Sequence, residues 1–439
     1  MRSEQLAKSQ PQARQQVADI VPISEGLHSH SLKICLLGYR SHPYGGGQGI
    51  YIRYLSKALV EAGHQVDVIS GQPYPHLDEG VRLIKMPGLN LFENGLGSLR
   101  PHHLRSMTNI IEWTSKLTGG FAEPHCFGRR VLKYLRKHGR HYDIIHDNQS
   151  LSWSMLKLQR EGFPLVTTIH HPITSDLDIA LAAARSAWQR LLIRRWHSFI
   201  TMQRSVAPKL QNVVTVSQRS KVDIADAFGM SQESINLVHC GIDTDVFHPM
   251  PEVTKKPFRL MATVSADAPL KGAHYLISAL ADLAQHYPQV ELLLVGKPKP
   301  GGSTERLIER LGVQRRIRCV TGISTEDLVR YYNEAEVVVV PSVYEGFGLP
   351  AGEAMACGTA VVSTNGGALP EVVGDACMQV PVKDAQAIVQ AVATLFDNPD
   401  KRRALAQAGR ERMENIFCWR KAALEMTDYY WKVIDRANR

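Results

Sequence analysis

Two βα series, separated by a break rich in proline and lysine, predict an α/β protein with two open, doubly wound parallel sheets. The first series opens with Leu32–Leu37, a short continuous apolar run suited to a strand covered on both faces. A glycine-rich loop follows it, and within Ile50–Glu61 the residues Tyr51, Tyr54, Leu55, Ala58 and Leu59 recur at helical spacing. After Ala62-Gly63 a second strand, Gln65–Ser70, completes a βαβ unit. The break is Pro249–Pro257, which lacks periodicity, and the βα pattern restarts beyond it.

Further strands of the first series are expected at Asp143–His146, Leu165–Ile169, Val213–Val216 and Ile235–Val238. The second series places strands at Arg259–Val264, Val290–Val295, Ile317–Val320, Val337–Val340, Ala360–Ser363 and Met378–Val380, with helical segments between them. Residues 402–436 read as terminal helices. The chain therefore divides into a disordered tail over 1–30, a first domain over 31–250, a second over 257–418, and a C-terminal helix over 419–439 that crosses back to the first domain. Ligands of open α/β sheets bind beyond the carboxyl ends of the strands, where the loops gather.

With 439 residues, 44% of them hydrophobic, the chain can bury two cores. Seven cysteines lie scattered without a C-x-x-C pair, which reads as reduced thiols in a cytoplasmic protein, neither a disulfide framework nor a zinc site. The first 30 residues lack the apolar core of a secretory signal. No run approaches the roughly 18 apolar residues of a membrane span, so contact with the inner face of a membrane would be peripheral. The net charge of +9 is concentrated between Ile179 and Val222, where eight Lys and Arg meet no Asp or Glu. Within that stretch, 182–202 is expected to form one amphipathic helix, with Trp188, Leu191, Leu192, Trp196, Phe199 and Ile200 on one face. Such a face serves either the core or an anionic membrane surface. The stretch contains no nucleic-acid-binding module, so nucleic acid is not an expected partner.

The most informative segment runs from Pro341 to Glu353, directly after Val337–Val340. Pro350 suits a first helical turn, and Gly346 and Gly348 let backbone amides approach an anion at the helix N-terminus. Glu345 on the loop and Glu353 a turn inside the helix would face the same ligand. Carboxylates beside a phosphate site suit hydroxyl groups of a sugar or ribose. By spacing alone, two solvent-facing glutamates on a strand-turn-helix fit equally well.

Glu345 to Glu353 resembles the E-x7-E element of retaining glycosyltransferases of family 4, which have the GT-B fold of two Rossmann-like domains facing across a cleft. Other signatures of that family follow in order from about Lys33 to Trp419: Pro43-Tyr-Gly-Gly-Gly47, Asp143-Ile-Ile-His146, Thr167-Thr-Ile-His170, Val216-Ser217, Gly241-Ile-Asp243, Lys271-Gly272, Gly322, Ala354 to Gly358, and Gly366-Gly367 with Pro370-Glu371. The resemblance implies a nucleotide-sugar donor, UDP- or GDP-linked, and a glycan, lipid-linked or small-molecule acceptor of cell-envelope or polysaccharide type. It also implies residue roles. Glu345 contacts hydroxyls of the donor sugar and Glu353 the ribose. Lys271 neutralises the diphosphate with amides of Phe347, Gly348 and Leu349. Ile323 sits against the base, and Gly46 and Gly47 admit the donor phosphates. His170 lies beside the reacting sugar, with His171 as the neighbouring alternative. No metal or other cofactor is implied, and Asp176/Asp178 and Asp243/Asp245 read as structural.

One departure stands out. The family carries an arginine shortly before the lysine, where this chain has Ala266, and the loop Gly296–Gly302 offers Lys297 or Lys299 as the second cation. The same departure motivates a rival reading, a non-catalytic sugar-nucleotide or glycan-binding protein. A dinucleotide oxidoreductase is excluded, because Gly47-Gln-Gly49 is followed by Ile52 where a glycine or alanine is needed, and no acid ends the second strand.

Overall fold

A computed structural model describes residues 30–42, 47–91, 93–184, 186–264 and 267–438. The tail over 1–30 falls almost wholly outside the described residues, as do Gly46 and Ala266.

The first sheet has seven strands: β1 (Lys33–Gly38), β2 (Gln65–Ser70), β3 (Val81–Lys85), β4 (Ile144–Asn148), β5 (Leu165–Thr168), β6 (Val213–Thr215) and β7 (Ile235–Leu237). They lie in the order β3-β2-β1-β4-β5-β6-β7, and every pairing is parallel. The second has six: β8 (Arg259–Thr263), β9 (Glu291–Val295), β10 (Ile317–Val320), β11 (Val337–Val340), β12 (Ala360–Thr364) and β13 (Met378–Val380), in the order β10-β9-β8-β11-β12-β13. Both have the crossover order of a doubly wound Rossmann-like sheet. The expected fold class is therefore the observed one. Covering helices explain why the central strands are apolar throughout, as in the wholly buried Val337–Val340.

Three regions depart from the sequence reading. Strand β3, Val-Arg-Leu-Ile-Lys, lies at the sheet edge and carries two charges, so it lacks the apolar run that marks the inner strands. Helices Met107–Leu117 and Glu123–His138 fill the connection from β3 to β4. The segment expected as one helix over 182–202 is broken: Ala187–Trp196 and Phe199–Val206 are separate helices, and an earlier one spans Thr174–Ala183. Ser186 caps the middle helix by accepting from the Gln189 amide. The single apolar face is divided accordingly. Phe199 and Ile200 are buried, whereas Trp188, Leu191, Leu192 and Trp196 are exposed.

The terminal helix Trp419–Ala437 closes on the first sheet. Trp419 packs against Tyr51 and Tyr54, at ring separations of 5.6 and 6.0 Å. Gly241 permits the approach, since a Cβ there would lie 2.4 Å from the Trp419 nitrogen. The same helix sends Tyr429 to Asn236 (2.9 Å) and Tyr430 to His146 (2.6 Å). One apolar cluster consequently runs from Leu36 of the first sheet through Ile242, Phe347 and Trp419 to Val338 of the second.

Candidate active site

The loop after β11 leads into the helix Leu349–Ala356. Gly348 is its N-cap at φ 104°, a conformation that favours glycine. Phe347 turns its ring into the core, 5.8 Å from Phe417, so what it can offer a ligand is its backbone amide. Glu345 Oε1 accepts from Ser342 Oγ at 2.8 Å and from Lys271 Nζ at 2.6 Å. The turn that delivers Lys271 needs Gly272: at φ 66° its backbone passes so near Pro341 that a Cβ would lie 1.9 Å from the carbonyl oxygen. Lys271 and Glu345 are thus brought together by a glycine crossing, from the loops after β8 and β11.

Glu353, one turn into the helix, is buried and accepts from Tyr332 OH at 2.8 Å. Burial pushes its carboxyl up to about 7, against the opposing effect of the tyrosine hydrogen bond. Tyr332 OH also lies 3.2 Å from Thr263 Oγ1 at the end of β8.

The facing half is built on the ends of β4 and β5. Buried His146 is held between Tyr430 OH and Thr168 Oγ1, each at 2.6 Å, and desolvation lowers its pKa to about 3. His170 is fixed from three sides. Its amide donates to Gln149 Oε1 at 2.7 Å, its Nε2 lies 2.6 Å from Asn148 Oδ1, and Tyr51 meets its ring edge-on at 4.6 Å. Asn148 Nδ2 donates to the Gln48 carbonyl at 3.1 Å, which leaves Oδ1 as an acceptor and assigns the proton of neutral His170 to Nε2. Burial, then the nearby His171 and His146, lower the His170 pKa to about 3, so this ring is neutral at ordinary pH. Gln149 adopts φ 57° and also donates to the His171 carbonyl at 2.9 Å.

The two halves meet at Gly346. Its carbonyl accepts from Ser217 Oγ at 2.8 Å and Ser220 Oγ at 3.1 Å, and a Cβ there would lie 3.3 Å from the His170 carbonyl oxygen. The Glu345 loop therefore abuts the His170–His171 turn directly. Glu371 braces the same junction by accepting from the amides of Gln218 and Arg219 and from His239 Nε2 at 2.8 Å. The clamp satisfies donors at the N-terminus of the helix Gln218–Phe228.

The remaining expected residues are less engaged. Gly47 begins the helix Gly47–Glu61 and is exposed, with open space where a Cβ would go. The tight position is Gly49, whose Cβ would lie 2.4 Å from the His42 carbonyl oxygen. Ile323 is half-buried at the edge of the shared core, after Gly322 at φ 65°. Lys297 and Lys299 are exposed, and the Lys299 amide donates to Asp267 at 2.5 Å, which folds the Gly296–Gly302 loop onto the end of β8. Asp243 holds Lys57 at 2.8 Å and caps the amides of Asp245 and Val246, a structural role. Nothing is described of the Asp176 side chain. Asn148, Gln149, Ser342 and Tyr332 were missed. For Asn148 and Gln149 the available signal was a run of polar residues, Asp147 to Ser150, directly after a buried strand.

Two facing Rossmann-like sheets, with a lysine–glutamate pair on one lip and a fixed histidine on the other, define a GT-B glycosyltransferase. The chain belongs to the family 4 glycosyltransferases: the family described as Glycosyltransferase Family 4 matches residues 45–246, and that described as Glycosyl transferases group 1 matches 249–412. It is 41% identical to the MMP alpha-(1->4)-mannosyltransferase of Mycolicibacterium hassiacum over 92% of this chain and 99% of that one. It is 27% identical to the D-inositol 3-phosphate glycosyltransferase of Corynebacterium urealyticum, over 88% of this chain and 90% of the other. Among solved structures, sucrose-phosphate synthase from Thermosynechococcus elongatus superposes with a TM-score of 0.69 at 26% identity, covering 92% of this chain and 100% of that chain. Anabaena HepE in complex with UDP-glucose shares the fold at a TM-score of 0.66 and 17% identity, covering 91% of this chain and 100% of that one.

Proposed function

We propose that the protein transfers an α-mannosyl unit from a nucleoside-diphosphate sugar to a glycan acceptor, with retention and without a metal. The observation that carries the reading is the Lys271–Glu345 pair set directly against the His170 turn. The pair supports the reading because it offers a cation suited to a diphosphate beside a hydroxyl acceptor suited to the attached sugar. The leaving diphosphate gains charge as the glycosidic bond breaks, and preorganised donors there lower the barrier. Lys271 Nζ and the amides at the Gly348 N-cap are such donors. Glu345 would accept from hydroxyls of the transferred sugar, Glu353 from the ribose, and Ile323 would border the base. Gly46 and Gly47 would leave room for the phosphates. Neutral His170 would orient the sugar through its backbone and ring without adding charge. The sugar and the α linkage are suggested by the Mycolicibacterium relative.

The expected setting is the cytoplasm, at the inner face of a membrane. No helix among the described residues is long and apolar enough to cross one. Trp188 and Leu191, 67% and 55% exposed, stand beside the exposed Arg190 and Arg194, a combination that fits an anionic lipid surface. Co-sedimentation with phosphatidylglycerol vesicles tests it: binding at low salt, reduced by Trp188→Ser with Leu191→Ser, is expected, and no binding at low salt refutes it.

Transfer is tested by incubation with GDP-mannose, UDP-glucose and an α-(1→4)-linked manno-oligosaccharide. Release of nucleoside diphosphate with extension of the oligosaccharide through an α linkage is expected. Failure to turn over any nucleotide sugar would return the non-catalytic reading.

A further inference from the structure

A cavity of about 550 Å³ opens beside the loops that follow β2 and β3, lined among others by Gln72, Asn90, Asn94, Arg100, His102 and His103. That size suits a small ligand. It lies at the carboxyl ends of the first sheet, the same edge that carries His170 after β5. None of the proposed donor residues lines it. Its base is packed: Leu89 is buried, and Gly88 rests on the Arg130–Glu112 ion pair.

The polar atoms of the cavity are specific in what they offer. Gln72 Oε1 already accepts from the Gly88 amide at 3.1 Å, so its Nε2 remains to donate. His103 Nδ1 accepts from the Arg100 amide at 3.1 Å, which puts the proton of neutral His103 on Nε2, a second donor. Exposed Arg100 is a third. Asn90, at φ 49°, also lines the cavity and gives its Nδ2 to Glu93 at 2.6 Å. Hydroxyls of a sugar ring can accept from all three donors. Among the described residues no carboxylate lines the cavity to compete for them.

Position decides which part of a substrate would lie here. Gln72 follows β2 and Asn90 follows β3, three and four strands across from β5 in the order β3-β2-β1-β4-β5. At about 4.8 Å per strand the cavity lies roughly 14–19 Å from His170 along the sheet. A single sugar ring does not span that distance.

We propose that this cavity is a remote acceptor subsite, which holds one hexose of an oligosaccharide several units from its reacting end. The enzyme is then built to extend a chain, not to glycosylate a lone sugar. The inference rests on the glycan-acceptor reading above and adds the substrate class.

The probes are α-(1→4)-linked manno-oligosaccharides from the disaccharide to the hexasaccharide, with GDP-mannose as donor. Wild-type kcat/KM is expected to rise about tenfold or more from the disaccharide to the longer acceptors, the worth of one or two hydrogen bonds. Asn90→Gly, which keeps the positive φ accessible, and Arg100→Ala, at an exposed position, are expected to flatten that rise. A flat wild-type profile, or a variant loss equal at every acceptor length, overturns the proposal. Calorimetric binding of the hexasaccharide to wild type and to Arg100→Ala reads the cavity without turnover. Equal binding by the two, no binding by wild type, or displacement of the hexasaccharide by inorganic phosphate also overturns it. Loss of nucleotide-sugar turnover by wild type itself refutes the transferase reading, which this binding measurement keeps separate.

Discussion

Lys271 Nζ and Glu345 Oε1 lie 2.6 Å apart, although 74 residues separate them in the chain. The contact joins two roles that the family resemblance assigns separately, diphosphate neutralisation and sugar recognition. It also makes the cation partly committed before any donor arrives. Lys271→Ala is expected to lower kcat/KM by about 10²–10³-fold, the range for removing one preorganised donor to a developing charge. Glu345→Gln keeps the shape and frees the lysine, so turnover should fall while affinity for free nucleoside diphosphate holds or increases. Steady-state kinetics with calorimetry on both variants checks this. Wild-type turnover in Lys271→Ala would remove it from the site.

Glu353 sets the expected pH dependence. Burial raises its carboxyl to about 7, so in the fold it holds a proton that the unfolded chain releases near its ordinary value. Stability from this group is therefore fullest in acid and is lost as pH rises toward 7. Acceptance of two ribose hydroxyls needs the ionised form, so nucleotide affinity should fall as pH drops below about 7. Tyr332→Phe removes the donor that favours the carboxylate and should shift this acid limb to higher pH. A limb unmoved in that variant assigns it to another group.

Asn148 fixes the direction of the His170 ring, and burial keeps that ring neutral. With the His170 pKa near 3, the wild-type enzyme should show no acid limb from this ring at working pH. Asn148→Asp replaces a neutral acceptor with a charge and loses the bond to the Gln48 carbonyl. It should stabilise the imidazolium and bring a new limb into the kcat profile. Asn148→Ala should lower kcat with a smaller change in donor KM. Identical pH profiles in wild type and Asn148→Asp would contradict the arrangement.

Activity is expected to survive EDTA, because Lys271 and backbone amides would take the place of a metal at the diphosphate. Lys297 or Lys299 would add the second charge in the absence of an arginine at Ala266. Lys297→Ala or Lys299→Ala should then lower kcat well beyond lysine-to-alanine changes elsewhere, and Ala266→Arg should partly restore it. Loss of activity in EDTA that Mg²⁺ restores refutes the first expectation. Wild-type turnover in the Lys297→Ala, Lys299→Ala double variant refutes the second.

What the sequence determined by itself was whatever rests on local pattern. Val337–Val340 could only be a buried parallel strand, and the glycines and proline after it could only make a turn into a helix. Eleven further strands were legible for the same reason. The edge strand Val81–Lys85 was not, because its charges are tolerated where one side of a sheet has no neighbour. Tertiary structure decided the rest. Trp188 reads identically in a core helix and an exposed one, and the helix breaks around Ser186 and His197 turned it outward. Ser342 and Tyr332 gained their place from the carboxylates they meet, and Gly346 from Ser217, 129 residues away. Periodicity records which face of an element is buried. It does not record which distant loop the chain brings against it, because that is set by how two completed sheets pack across their shared core.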